Sequence, residues 1–182
     1  MQSLNCKYLL LLLAITTIGC AKRGMITGGK KDTIAPVLTT SLPKNGSLNF
    51  NRKEIKLTFN EWLQLNDVFK QVVVSPPLQK KFDVSLKKKT VRFEFDEEEV
   101  LRKNATYTIN FGTAVQDLTE RNPVKDLRFV FSTGDFIDSL EVTGQVVEAF
   151  DKKPLKDVLV MLYDNLADTV VRKEKPFYFA KT

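Results

Sequence analysis

The 182-residue sequence predicts an all-β protein: an antiparallel β-sandwich of about seven strands, with an incomplete second β-sandwich behind it. Three observations carry that prediction. From Val37 onward, apolar and polar residues alternate with a period of two rather than 3.6. Turn-forming residues interrupt the alternation at regular intervals, as in Pro43-Lys44-Asn45-Gly46, Pro76-Pro77 and Arg121-Asn122-Pro123. The alternating runs are short and follow one another within about 100 residues, the spacing of sandwiches rather than of βαβ units.

The chain opens with MQSLNCKYLLLLLAITTIGC. Lys7 supplies a positive n-region, and Tyr8 to Ile15 form an apolar core shorter than the roughly 20 residues needed to span a bilayer, so residues 1–19 read as a cleaved export signal. The ending Thr17-Ile18-Gly19-Cys20 resembles a bacterial lipobox, although Thr17 stands where leucine is usual. That resemblance implies lipidation of Cys20, which becomes the first mature residue. Cleavage there removes Cys6 and leaves one cysteine, and a thioether to diacylglycerol accounts for that odd thiol. Two acyl chains are enough for stable anchoring, where one binds only marginally. Residues 20–32 are basic and glycine-bearing, without apolar periodicity, and read as a lipidated tether. No acidic residues follow the cysteine directly. Surface-exported lipoproteins of Bacteroidota type carry acidic residues there, and position 21 is alanine rather than the aspartate of inner-membrane retention, so the lipoprotein resemblance implies the outer membrane, on its periplasmic face rather than the cell surface.

The strands then follow in order. Val37–Leu42 is the first. Ile55, Leu57 and Phe59 alternate with Lys56 and Thr58, and Val72–Ser75 is short and apolar. Phe82, Val84 and Leu86 alternate with Asp83 and Ser85, and Val91, Phe93 and Phe95 with Arg92 and Glu94. Tyr107, Ile109 and Phe111 form the sixth strand, and Leu127, Phe129 and Phe131 the seventh. This spacing favours an immunoglobulin-like sandwich. Tyr107, six residues after Leu101 at the mouth of the sixth strand, resembles a tyrosine corner, whose hydroxyl bonds backbone a few residues upstream.

Five short motifs add a family resemblance: Thr40 to Gly46, Ile55 to Glu61, Asn104 to Thr108, Ala114 to Asp117, and Phe129 to Gly134. Their order and spacing resemble the bacterial Ig-like domain named after the surface-layer protein SbsA, over residues 33–134. The resemblance implies an envelope module that spaces, assembles or binds, and it brings no catalytic residues. Residues 135–182 begin with Val142–Ala149 and Val158–Tyr163, similar to the opening strands of carboxypeptidase regulatory-like, transthyretin-like domains. Two strands and a remnant cannot bury a two-sided sheet. The expectation is a partial domain, truncated at Thr182; the alternative is that the tail adds strands to the first sandwich.

Composition excludes several chemistries. Histidine is absent, which removes His-based triads and His-metal sites, and two cysteines cannot build a zinc module. No catalytic, cofactor-binding or metal site is therefore assigned, and the protein is not expected to be an enzyme. Asp96-Glu97-Glu98-Glu99 reads as a solvated turn, since neighbouring side chains alternate direction. Asp117 to Asn122 offers oxygen ligands for calcium but lacks an EF-hand pattern, and reads as a polar loop.

The 28 basic and 22 acidic residues give +6, a mild field. Lysines 80, 81, 87, 88 and 89 fall near one hairpin, yet the adjacent aromatics sit at core positions, unlike a nucleic-acid groove. Trp62 is a candidate ligand contact at the sandwich end, with capping of the core as the favoured alternative. Asp32-Thr33-Ile34, Asp138-Ser139-Leu140 and Asp168-Thr169-Val170 resemble the O-glycosylation signal of Bacteroidota envelope proteins, which makes Thr33, Ser139 and Thr169 candidate acceptors.

The reading is a non-catalytic, lipid-anchored envelope protein whose partners are the membrane and an envelope protein or polysaccharide, with no nucleic acid. The alternative is the accessory N-terminal part of a larger envelope enzyme or carbohydrate-binding protein.

Overall fold

The alternating segments form nine strands between Leu38 and Ser132: β1 (Leu38–Leu42), β2 (Glu54–Phe59), β3 (Leu63–Leu65), β4 (Val73–Ser75), β5 (Asp83–Lys87), β6 (Thr90–Glu94), β7 (Thr106–Asn110), β8 (Val115–Asp117) and β9 (Arg128–Ser132). A single helical turn, α1 (Val68–Gln71), precedes β4. The computed structural model describes residues 29–140 and 142–182. The signal segment 1–19, Cys20 and the tether up to residue 28 lie outside the described residues.

All seven expected strands are present. They pair as two antiparallel sheets, β1-β2-β6-β5 and β4-β7-β9, which is the ABED/CFG arrangement of an immunoglobulin-type sandwich. Register explains the core. Ile55 faces Phe93 and Leu57 faces Val91 in one sheet, while Tyr107 faces Phe131 and Ile109 faces Phe129 in the other. Each of these eight side chains is at most 2% exposed. Burying an apolar side chain of this size contributes roughly 1.5–3 kcal/mol. Aromatic contacts tighten the assembly: Tyr107 stacks on Phe131 at 5.3 Å, and Phe93 meets Phe95 edge-on at 5.0 Å.

The tyrosine corner is in place. The Arg102 N–H donates to the Tyr107 hydroxyl at 2.9 Å, joining the crossover to β7. The turn at Pro43–Gly46 is fixed to β9, because the Val130 N–H donates to Asn45 Oδ1 at 2.7 Å.

Two strands were not expected. β3 and β8 pair with each other over three residues, Leu63 with Asp117 through Leu65 with Val115. Three residues are too few to show a period, so only the packing of Leu63 and Val115 betrays them.

The tail also departs from expectation. Val142–Ala149 forms no strand; its one ladder contact is the isolated bridge between Val147 and Pro154. Instead β10 (Leu159–Leu162) pairs antiparallel with β11 (Tyr178–Lys181), the apolar C-terminal stretch, and a helical turn, α2 (Val170–Lys173), lies between them. The pair rests against the sandwich near β4: the Phe179 N–H donates to Ser75 Oγ at 3.0 Å, and Lys175 Nζ to Leu78 O at 2.8 Å. Leu140, Val142, Phe150 and Leu166 stay almost fully exposed.

Candidate functional site

The lysines that cluster in sequence separate in space. Lys80 and Lys81 precede β5, Lys87 ends it and Lys88–Lys89 form the turn after it, so the length of a five-residue strand, about 16 Å, divides them into two groups. Each group belongs to a different surface.

The first surface is an end of the sandwich built on Trp62. Trp62 is 52% exposed and therefore does not cap the core; Leu63, at 3% exposure, is the residue buried there. Lys88 Nζ lies 6.0 Å from the ring centroid, at the outer limit of a cation–π contact. Backbone bonds hold this corner: Leu118 N–H donates to Trp62 O at 3.0 Å, and Leu63 N–H to Lys88 O at 3.3 Å. Lys89 Nζ donates to Asn60 O at 2.6 Å, which leaves Lys88 as the outward-facing cation. Glu61 precedes Trp62 in the chain. Partial burial, then the charges of Asp117, Asp32 and Glu120, hold its carboxyl above the ordinary range, with Lys89 opposing.

Asp117 organises the neighbouring loop. Its Oδ1 accepts N–H bonds from Thr119, Glu120 and Arg121 at 3.0, 2.7 and 2.9 Å, and Oδ2 accepts the Asn122 N–H at 2.9 Å. Burial pushes its pKa up, but the backbone bonds from Asn122, Glu120 and Arg121 prevail and hold it below the ordinary value. Both oxygens are thus committed to the backbone. Its role is to shape the loop.

The acidic turn also holds a surprise. Asp96, Glu97 and Glu98 are exposed, but Glu99 is buried at 6%. Its two oxygens accept the Gln79 and Lys80 N–H groups at 3.0 and 2.6 Å, and its carbonyl accepts Lys53 Nζ at 2.9 Å. The solvated-turn reading therefore holds for three residues and fails for the fourth. Glu99 anchors the loop that carries Lys80 and Lys81.

That loop borders the second surface, an open cleft of about 1050 Å³ between the α1–β4 region and the β10–β11 pair. Nothing in the sequence pointed to it, because its walls come from segments about a hundred positions apart, near residues 69–82 and 157–181.

The candidate acceptors differ in setting. Thr33 and Ser139 are exposed, and each is the middle residue of a tight turn: Ile34 N–H donates to Asp32 Oδ1, and Leu140 N–H to Asp138 Oδ1, both at 2.9 Å. Thr169 is exposed but opens α2, and the following Val170 is buried at 6%.

Residues 32–133 match a family described as the bacterial Ig-like domain, more than half of the chain. No curated protein matched the chain.

Proposed function

The chain belongs to the bacterial Ig-like domain family, and from that membership we propose that it is a non-catalytic cell-envelope lipoprotein whose sandwich acts as a structural, spacer or adhesive module. The observation that carries this reading is the family match over residues 32–133, placed after an export-type segment that ends at Cys20. The lipid on Cys20 holds the protein to the outer membrane at its periplasmic face. The tether, fully extended, gives a reach of about 40 Å. The domain is of the SbsA type, and residues 135–182 are part of a carboxypeptidase regulatory-like domain. Thr33 and Ser139 carry O-glycans, with Thr169 the least suited acceptor because its turn is built into α2. Membrane fractionation of the full chain tests the anchor. Wild type partitions with the membrane and Cys20→Ala moves to the soluble fraction; equal partitioning of both would overturn the lipoprotein reading.

One observation favours a second reading, a carbohydrate contact at the sandwich end. Trp62 is half exposed, with the Lys88 ammonium 6.0 Å from its ring centroid. An aromatic face with polar groups at its rim is suited to a sugar ring. Titration of Trp62 fluorescence with envelope polysaccharide gives saturable quenching on this reading, and a flat response contradicts it.

A further inference from the structure

The second cleft has walls of one character and a rim of another. Phe69, Val72, Leu78 and Phe82 form the sandwich side, and Leu159 and Phe179 the opposite side. Leu159 pairs with Lys181 and Met161 with Phe179, so Leu159, Phe179 and Lys181 share one face of the β10–β11 ladder. The sandwich wall is fixed by the core, because Phe82 stacks on the fully buried Phe93 at 5.0 Å. Phe69, by contrast, is 78% exposed. A cleft of about 1050 Å³ is far larger than a packing defect and lies at the upper end of small-ligand sites.

Four lysines line the cleft, Lys70, Lys80, Lys81 and Lys181, against one acid, Asp157. Lys181 is paired with Asp157 and Lys80 with Glu98. Among the described residues, Lys70 and Lys81 have neither an ion pair nor a side-chain hydrogen bond. We propose that this cleft binds a long-chain fatty-acid carboxylate, its hydrocarbon chain between the Phe69–Phe82 wall and Phe179 and its head group at Lys70 and Lys81.

Charge complementarity selects an anion, and the apolar walls select a hydrocarbon body. Among the described residues no arginine lines the cleft, so none of them offers the fork that recognises phosphate bidentately, while separate ammonium groups suit a singly charged head. An extended acidic peptide fits less well. Such a strand binds mainly through backbone hydrogen bonds, and Phe179 N–H and Leu78 O are already engaged with Ser75 and Lys175. The site is independent of the anchor on Cys20, so either reading survives failure of the other.

The test is photolabelling of the purified chain with a diazirine analogue of palmitate, mapped by peptide mass spectrometry. Labelling is expected on residues 69–82 and 159–181, with competition by palmitate but not by methyl palmitate. The Lys70→Glu/Lys81→Glu variant loses about tenfold in labelling, the scale expected for replacing two rim attractions with repulsions. The charge-matched Lys44→Glu/Lys125→Glu variant, exposed and away from the cleft, labels as wild type. Thermal melts of both variants establish that they are folded. Labelling spread over Leu140, Phe150 and Leu166 would overturn the proposal, as would equal competition by methyl palmitate. Competition by an acidic peptide but not by palmitate would overturn it in favour of a peptide groove.

Discussion

Asp117→Asn isolates the side chain that shapes the loop between β8 and β9. The carboxylate accepts four backbone N–H groups, three on Oδ1 and one on Oδ2. An asparagine can keep its oxygen where Oδ1 was, so three bonds persist without the charge. Its NH2 then points at the Asn122 N–H, donor against donor, and that bond is lost. A hydrogen bond to a charged group contributes about 1.5–3 kcal/mol net. Losing one and weakening three, less the relief of repulsion on Glu61, gives a cost of about 2–3 kcal/mol. For a sandwich of this size, each kcal/mol shifts the midpoint by about 4–8 °C. Urea denaturation at pH 7 should show the lower midpoint at unchanged slope. The pH dependence supplies a second reading. Because Asp117 has a depressed pKa in the fold, its contribution is complete above the unfolded value near 3.8 and is lost as pH falls through the folded value. Wild type and variant should therefore converge in strong acid. A difference below about 0.5 kcal/mol at pH 7, the level of an ordinary surface change, would refute the reasoning.

Three further substitutions probe other parts of the framework. Tyr107→Phe keeps the ring stacked on Phe131 but removes the acceptor for the Arg102 N–H, and calorimetry should show a loss of about 1–2 kcal/mol. Gly112→Ala places a Cβ 3.0 Å from the Gln71 carbonyl oxygen at a residue with φ of +52°, so unfolding should show a loss of at least about 1–2 kcal/mol. Glu61→Gln should stabilise slightly at pH 7, by about 0.5 kcal/mol or less after solvent screening. The folded pKa of Glu61 is raised, so wild-type stability is higher in acid and falls as pH rises through its titration; melts at pH 3 should show the two proteins alike.

The strands were readable because their period is long enough to register. Ile55-Lys56-Leu57-Thr58-Phe59 alternates over a whole strand, and its odd members are all buried. β3 and β8 escaped because three residues carry no period and their pairing spans some fifty positions. Glu99 was misread for a similar reason: composition places it in an acidic run, while its burial depends on Gln79 and Lys80 twenty residues away. Trp62 illustrates the reverse error. Average burial of tryptophan favours capping, yet Leu63, the next residue and the first of β3, takes the inward position. The β10–β11 pairing joined an expected strand to a stretch with no evident role, because the connecting segment hides which runs will meet. Local alternation reveals faces, whereas the cleft and its lysines arise from contacts that only folding creates.

The central claim is a sandwich held to a membrane through Cys20, and the most direct test is the mass of the N-terminal peptide of the protein purified from bacterial membranes. The account predicts a peptide that starts at Cys20 and carries the added mass of a thioether-linked diacylglycerol, with an N-terminal acyl chain where one is attached. A peptide that still contains residues 1–19, or one that starts at an unmodified Cys20, would contradict it.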